Sequence, residues 1–84
     1  MDKGLYDKGL ELAKEEGYGE GEIEVWAEGY AEGRKNGRDD GWAYYGGYGN
    51  KPKGGNSPYE EGYKKGYWHG RDEGFEDRKI YGWQ

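Results

Sequence analysis

The chain has 84 residues, 19 of them glycine, no cysteine, and a formal net charge of −5. A chain this short supports at most one small core. The missing cysteines exclude disulfides, thiolate metal sites and cysteine nucleophiles together. Aliphatic side chains are scarce, but ten Tyr and four Trp supply large apolar areas with polar tips, so any core here must be mainly aromatic.

Residues 2–16 place Leu5, Tyr6, Gly9, Leu10 and Ala13 at helical spacing behind Asp2 as a candidate cap, which predicts a short amphipathic helix. Gly17, Gly19 and Gly21 should end it, because each glycine costs about 1 kcal/mol in a helix relative to Ala. Residues 1–28 hold nine acids against three lysines, a net −6 that leaves +1 for the remainder. Acidity concentrated in one segment reads as an ordinary solubilising face or as a contact for a basic protein surface, whereas nucleic acid calls for a basic footprint.

A second helix is expected over about 22–45, with Ile23, Trp26, Ala27, Tyr30 and Ala31 on its apolar side. It carries Gly29, Gly33, Gly37 and Gly41. Residues 46–57 are glycine, asparagine and proline turn chemistry and read as a linker. Ser57-Pro58-Tyr59-Glu60 combines an N-cap, a first-position proline and a capping-box glutamate, so a third helix should run over about 58–79. It repeats the ladder as Gly62, Gly66, Gly70 and Gly74. Residues 28–42 and 61–75 match at a constant offset of 33, with eight of fifteen positions identical.

Glycines four apart form a groove that drifts slowly around a helix and lets another backbone approach closely. The expected fold is all-α: a short N-terminal helix and two repeat helices packed through their glycine ladders as a close antiparallel hairpin within one domain, 1–84. Pairing of the same ladders between copies, as a structural homo-oligomer, is the alternative. Charged residues in every turn oppose a membrane span, and a cytoplasmic location is the default expectation.

No catalytic, cofactor or metal constellation is expected. His69 lacks partner ligands, and Asp39-Asp40 and Asp72-Glu73 read as solvated faces with Arg38 and Arg71 as neighbours. The candidate partner-binding residues are Tyr30, Trp42, Tyr63, Tyr67 and Trp68 from the aromatic positions, with Glu15, Glu16 and Glu20 from the acidic segment. These point to a larger protein partner and a non-enzymatic regulator or inhibitor.

Two resemblances sit on these residues. Glu28-Gly29-Tyr30-Ala31-Glu32-Gly33-Arg34 resembles the glycine-repeat helix of the flagellar export-ATPase regulator and related adaptors, which implies helix–helix association. Residues 41–76 are similar to ribosome modulation factor and its small phage-encoded relatives. The likeness rests on Gly41-Trp42-Ala43, on Asn56-Ser57-Pro58-Tyr59 with Ser57 inserted into the family's turn, and on Tyr67-Trp68-His69-Gly70. It implies a helix–loop–helix form and a small, phage-type regulator, with ribosome or RNA association as an alternative. That family is basic, whereas this chain is acidic.

Overall fold

The computed structural model describes residues 3–43 and 48–82, and among them there is no strand. Three helices form, α1 over Lys3–Glu15, α2 over Glu20–Trp42 and α3 over Pro58–Asp77, followed by a π-helical turn over Arg78–Gly82. Asp2 and residues 44–45, expected at a helix start and a helix end, lie outside the described residues.

The α1–α2 corner closes through a glycine. Gly17 sits at φ +88°, and the Tyr18 and Gly17 amides donate to the Ala13 and Lys14 carbonyls at 3.2 and 3.1 Å. This satisfies two of the carbonyls a helix end leaves free, and Tyr18 folds back onto the Ala13 cluster. α2 then starts two residues earlier than expected. Gly19 is its cap, with the Glu22 carboxylate reaching back to the Gly19 amide at 3.3 Å, so Gly21 lies inside the first turn. Ser57 caps α3 as its sequence implies: the Glu60 amide donates to Ser57 Oγ at 3.2 Å.

α2 and α3 pack through the glycine ladders, but they run parallel. An ideal Cβ on Gly29, Gly33, Gly37 or Gly41 would stand 2.0–2.2 Å from the carbonyl oxygens of Tyr59, Tyr63, Tyr67 and Arg71, in that order. From the other side, Gly62, Gly66, Gly70 and Gly74 meet the carbonyls of Trp26, Tyr30, Arg34 and Arg38 at 2.0–2.3 Å. Both series ascend together, which corrects the expected antiparallel hairpin. The physical reason lies in the connection. Residues 43–57 are far longer than the 2–8 residues that usually join antiparallel neighbours, long enough to run back down the pair, and part of that strap docks on it.

The contact persists over four consecutive turns, which straight helices crossing at a steep angle would not sustain, so the two wrap around each other. A ladder of period four exceeds 3.6 and favours a right-handed wrap. Each glycine Cα comes within about 3.7 Å of the facing oxygen, the range of Cα–H···O contacts.

α1 lies antiparallel on α2. A Cβ at Gly9 would be 2.9 Å from the Ala27 Cα, a second backbone-level contact. The buried core is Ala13, Trp26, Ala27, Tyr30, Ala31 and Tyr67: two small-residue seams and three aromatic rings, with Leu12, Tyr18 and Ile23 packed at the edge. No helix among the described residues is long and apolar enough to cross a membrane.

Candidate interaction surface

The 33-residue offset makes the α2/α3 pair pseudo-twofold, with the axis along the helices. Two grooves flank the seam, and the residue after each glycine on one helix reaches toward the residue before a glycine on the other. In the groove under α1, Trp26 stacks on Tyr30 with centroids 5.6 Å apart and planes 10° apart. The Tyr30 hydroxyl lies 3.3 Å from His69 Nδ1 and accepts from Arg34 Nη1 at 2.7 Å. Arg34 continues to Glu73 at 2.6 Å, and Arg38 pairs with both Glu73, at 3.0 Å, and Asp77.

Because Arg34 already donates to Tyr30, the phenolic proton is available to His69 Nδ1, which suits a neutral imidazole protonated on Nε2. Burial and the charges of Arg34 and Lys65 lower the His69 pKa in the same sense.

The other groove repeats this geometry with different chemistry. Asn36 Nδ2 donates to the Tyr63 hydroxyl at 3.1 Å, where the first groove has His69 with Tyr30. Tyr67 donates to Asp40 Oδ2 at 2.6 Å, where the first has Arg34 with Glu73. This groove is covered by the strap. Asn50 donates its amide and side-chain N–H to Asp40 at 2.9 Å each, its carbonyl accepts from Tyr63 at 2.6 Å, and Tyr48 lies under the Arg71 guanidinium at 3.7 Å.

Asp40 is 6% exposed. Burial works against its charge, but hydrogen bonds from Tyr67 and Asn50 and the Arg71 charge prevail and hold its pKa below the usual carboxylate value. Burial and the bond to Asp40 push the Tyr67 phenol up to about 12. The segment that reads as a linker is therefore clamped at Tyr48 and Asn50, while Gly46 and Gly47 lie outside the described residues.

These networks redistribute the candidate residues. Tyr30 and Tyr67 are fully buried and belong to the seam rather than to a partner surface, a correction with a plain cause: their rings cover the facing helix and their hydroxyls are spent on His69, Arg34 and Asp40. Tyr63 is half-buried against the strap. Trp42 and Trp68 are exposed. Trp68 borders a cleft of about 370 Å³ shared with Tyr18, Trp26, Lys64, Lys65 and His69.

Glu15, Glu16 and Glu20 are exposed, with Glu16 3.4 Å from Lys65. The eight ladder glycines are all buried in the seam. Asp40 and Glu73 fall in opposite grooves, and their ion partners come from across the seam rather than along their own helix. Among the described residues no group of three His, Asp or Glu is placed to hold a metal.

Glu20, Glu24, Glu28 and Glu32 line the outer face of α2 at four-residue spacing, all exposed and none in an ion pair among the described residues. Tyr6 flanks this ridge from α1 and Tyr59 from α3. Burial and the neighbouring Glu24 and Glu28 raise the Tyr6 pKa, and burial with Glu32 and Glu28 raises that of Tyr59. Val25 adds an exposed aliphatic beside them. The signal for Glu24, Glu28 and Glu32 was present in the sequence as a row of acids at i+4. Tyr59 needed the parallel orientation of α3 to reach it.

Comparison with protein-family models, with curated proteins and with solved structures finds no match to this chain.

Proposed function

We propose that this protein is a non-catalytic interaction protein, a small regulator or inhibitor that docks a larger protein through the outer face of α2. One observation carries the reading: the unneutralised Glu20–Glu24–Glu28–Glu32 row, edged by Tyr59, Tyr6 and Val25. Like charges at i,i+4 destabilise a helix by about 0.2–0.5 kcal/mol per pair, so Glu24–Glu28 and Glu28–Glu32 together oppose the fold by about 0.4–1 kcal/mol, while Glu20 lies in the first turn, where the helix dipole favours an acid. An exposed row of acids left without ion partners among the described residues and partly resisted by the helix supports an external partner, and the complementary surface is basic. Exposed tyrosine beside the charges supplies the anchor type enriched at binding hot spots.

The likeness to ribosome modulation factor and its phage relatives fits a small regulator of this kind. The test is capture from bacterial lysate on immobilised protein, compared with a variant in which Glu20, Glu24, Glu28 and Glu32 are all Lys. A specific partner should be retained at low salt, lost at high salt as exposed charges are screened, and absent from the reversed variant. Capture that is indifferent to both changes would refute the ridge as the docking face. Co-sedimentation with ribosomal particles that survives charge reversal would favour the ribosome-associated reading instead.

A further inference from the structure

The pseudo-twofold equivalence of α2 and α3 is chemical as well as steric. Each glycine contact of α2 on α3 has its counterpart from α3 on α2, shifted by 33. The flanking pairs follow suit: Tyr30–His69 answers to Tyr63–Asn36, and Arg34–Glu73 to Tyr67–Asp40. Each helix therefore carries both halves of the cross-seam chemistry, tyrosine and arginine in the row after its glycines and histidine, asparagine or carboxylate in the row before. Set against a second α2, Arg34 and Arg38 meet Asp40, and Tyr30 meets Asn36. Set against a second α3, Tyr67 and Arg71 meet Glu73, and Tyr63 meets His69. These are pairing types that the seam already contains, and glycine meets backbone throughout.

We propose that the glycine seam is an interaction surface for a second copy of this chain, in which each repeat helix pairs in parallel with its own counterpart. In the single chain the strap decides the competition. Pro58 stands level with residue 25 of α2, about 26 Å back from Trp42 at 1.5 Å per residue, and 15 strap residues reach about 50 Å. Closure within the chain is thus unstrained and favoured by effective concentration. A further contact selects it: Lys65 meets Glu16 at 3.4 Å, whereas the equivalent position in α2 is Glu32, which would face Glu16 with like charge.

Removing the strap's reach should expose the second pairing. Deletion of residues 46–55 leaves five connecting residues that span about 20 Å, too short for the seam to close within one chain. Light scattering should then give twice the chain mass with per-residue helical circular dichroism retained, and adding Gly66→Leu should abolish the dimer. A Trp42→Cys version of this variant, in a chain with no other cysteine, should cross-link with a short bis-maleimide, since parallel α2 helices bring both copies of position 42 to one end.

A deletion variant that is monomeric, folded or not, overturns the proposal. So does a dimer that fails to cross-link. The intact chain gives an independent check: refolding from denaturant at rising concentration should yield a dimer fraction that persists on dilution, and a product that is monomeric at every concentration counts against the seam as a surface between copies.

Discussion

The same substitution made twice in α2 should act with opposite sign. At Gly33 an added Cβ would lie 2.2 Å from the Tyr63 carbonyl oxygen and 2.8 Å from the Tyr67 amide nitrogen, against backbone atoms that cannot swing aside. Ordinary contact begins beyond about 3.4 Å, so Gly33→Ala must force α2 and α3 apart by more than an ångström. That loosens the neighbouring glycine contacts as well. Helix propensity favours Ala by about 1 kcal/mol, whereas overpacking costs about 1–3 kcal/mol and each weakened Cα–H···O contact about 0.5–1 kcal/mol more. The net expectation is destabilisation by about 1–3 kcal/mol. For a chain of this size that lowers Tm by roughly 4–8 °C per kcal/mol.

Gly21 is the control. It is in the same helix, exposed, with nothing within 4 Å of its missing Cβ, so Gly21→Ala should raise Tm by the propensity gain of up to about 1 kcal/mol. Thermal melts followed at 222 nm measure both. If Gly33→Ala melts at or above the parent while Gly21→Ala behaves as expected, the close backbone seam is wrong.

Three further perturbations address the grooves and the corner. Asp40→Asn keeps the shape of the strap clamp but removes the charge that receives bonds from Tyr67 and Asn50 beside Arg71; a loss of about 2–3 kcal/mol is expected in urea denaturation, because it leaves buried partners mispaired. The His69 pKa is lowered in the folded state, so between that value and the unfolded pKa near 6.5 the unfolded chain binds more protons and stability rises with pH. Tm should therefore fall as pH drops from 7.5 through 6, and His69→Asn, which copies the Asn36–Tyr63 pair, should flatten that slope. Gly17→Ala meets open space but must hold φ near +88°, and should lower stability by about 1–2 kcal/mol in the same urea assay.

The helices and the ladder were legible because their signals are local. Period and caps each depend on a few neighbouring residues, the duplication is a direct match of 28–42 with 61–75, and Ser57, Glu60 and the eight glycines do what their spacing implies. The direction of α3 was not local. The usual expectation that successive helices are antiparallel overrode the one available sign, a connection too long for a hairpin turn. Glycine at every fourth position is symmetrical enough to serve either orientation, so the ladder itself carried no vote. The same gap hides that Tyr67, and Tyr30 on the apolar side of α2, are closed to a partner, since an aromatic beside a glycine is covered only if the facing helix supplies Asp40 or His69 at the matching height. The ridge acids were visible in the sequence, whereas their flank, Tyr59, depended on where the strap delivers the start of α3.

This construction explains how a chain so poor in aliphatics holds a fixed shape. A leucine-based bundle spends its side chains in the core and separates helix axes by 8–10 Å. Here the seam is backbone against backbone, and eight missing side chains let the two helices share one close interface without aliphatic filling. The rows beside the glycines are then released from core duty. They become polar ladders that set register, because a one-turn slip would still match glycine to backbone but would bring Arg34 level with Asp77 in place of Glu73, deprive Tyr30 of His69, and break the Asp40–Tyr67 bond. Register and partner choice therefore reside in the polar flanks and adhesion in the glycines. Towards the start of α2 the row before its glycines continues from Asn36 and Asp40 as Glu28 and Glu32, which stay exposed and outside any ion pair among the described residues.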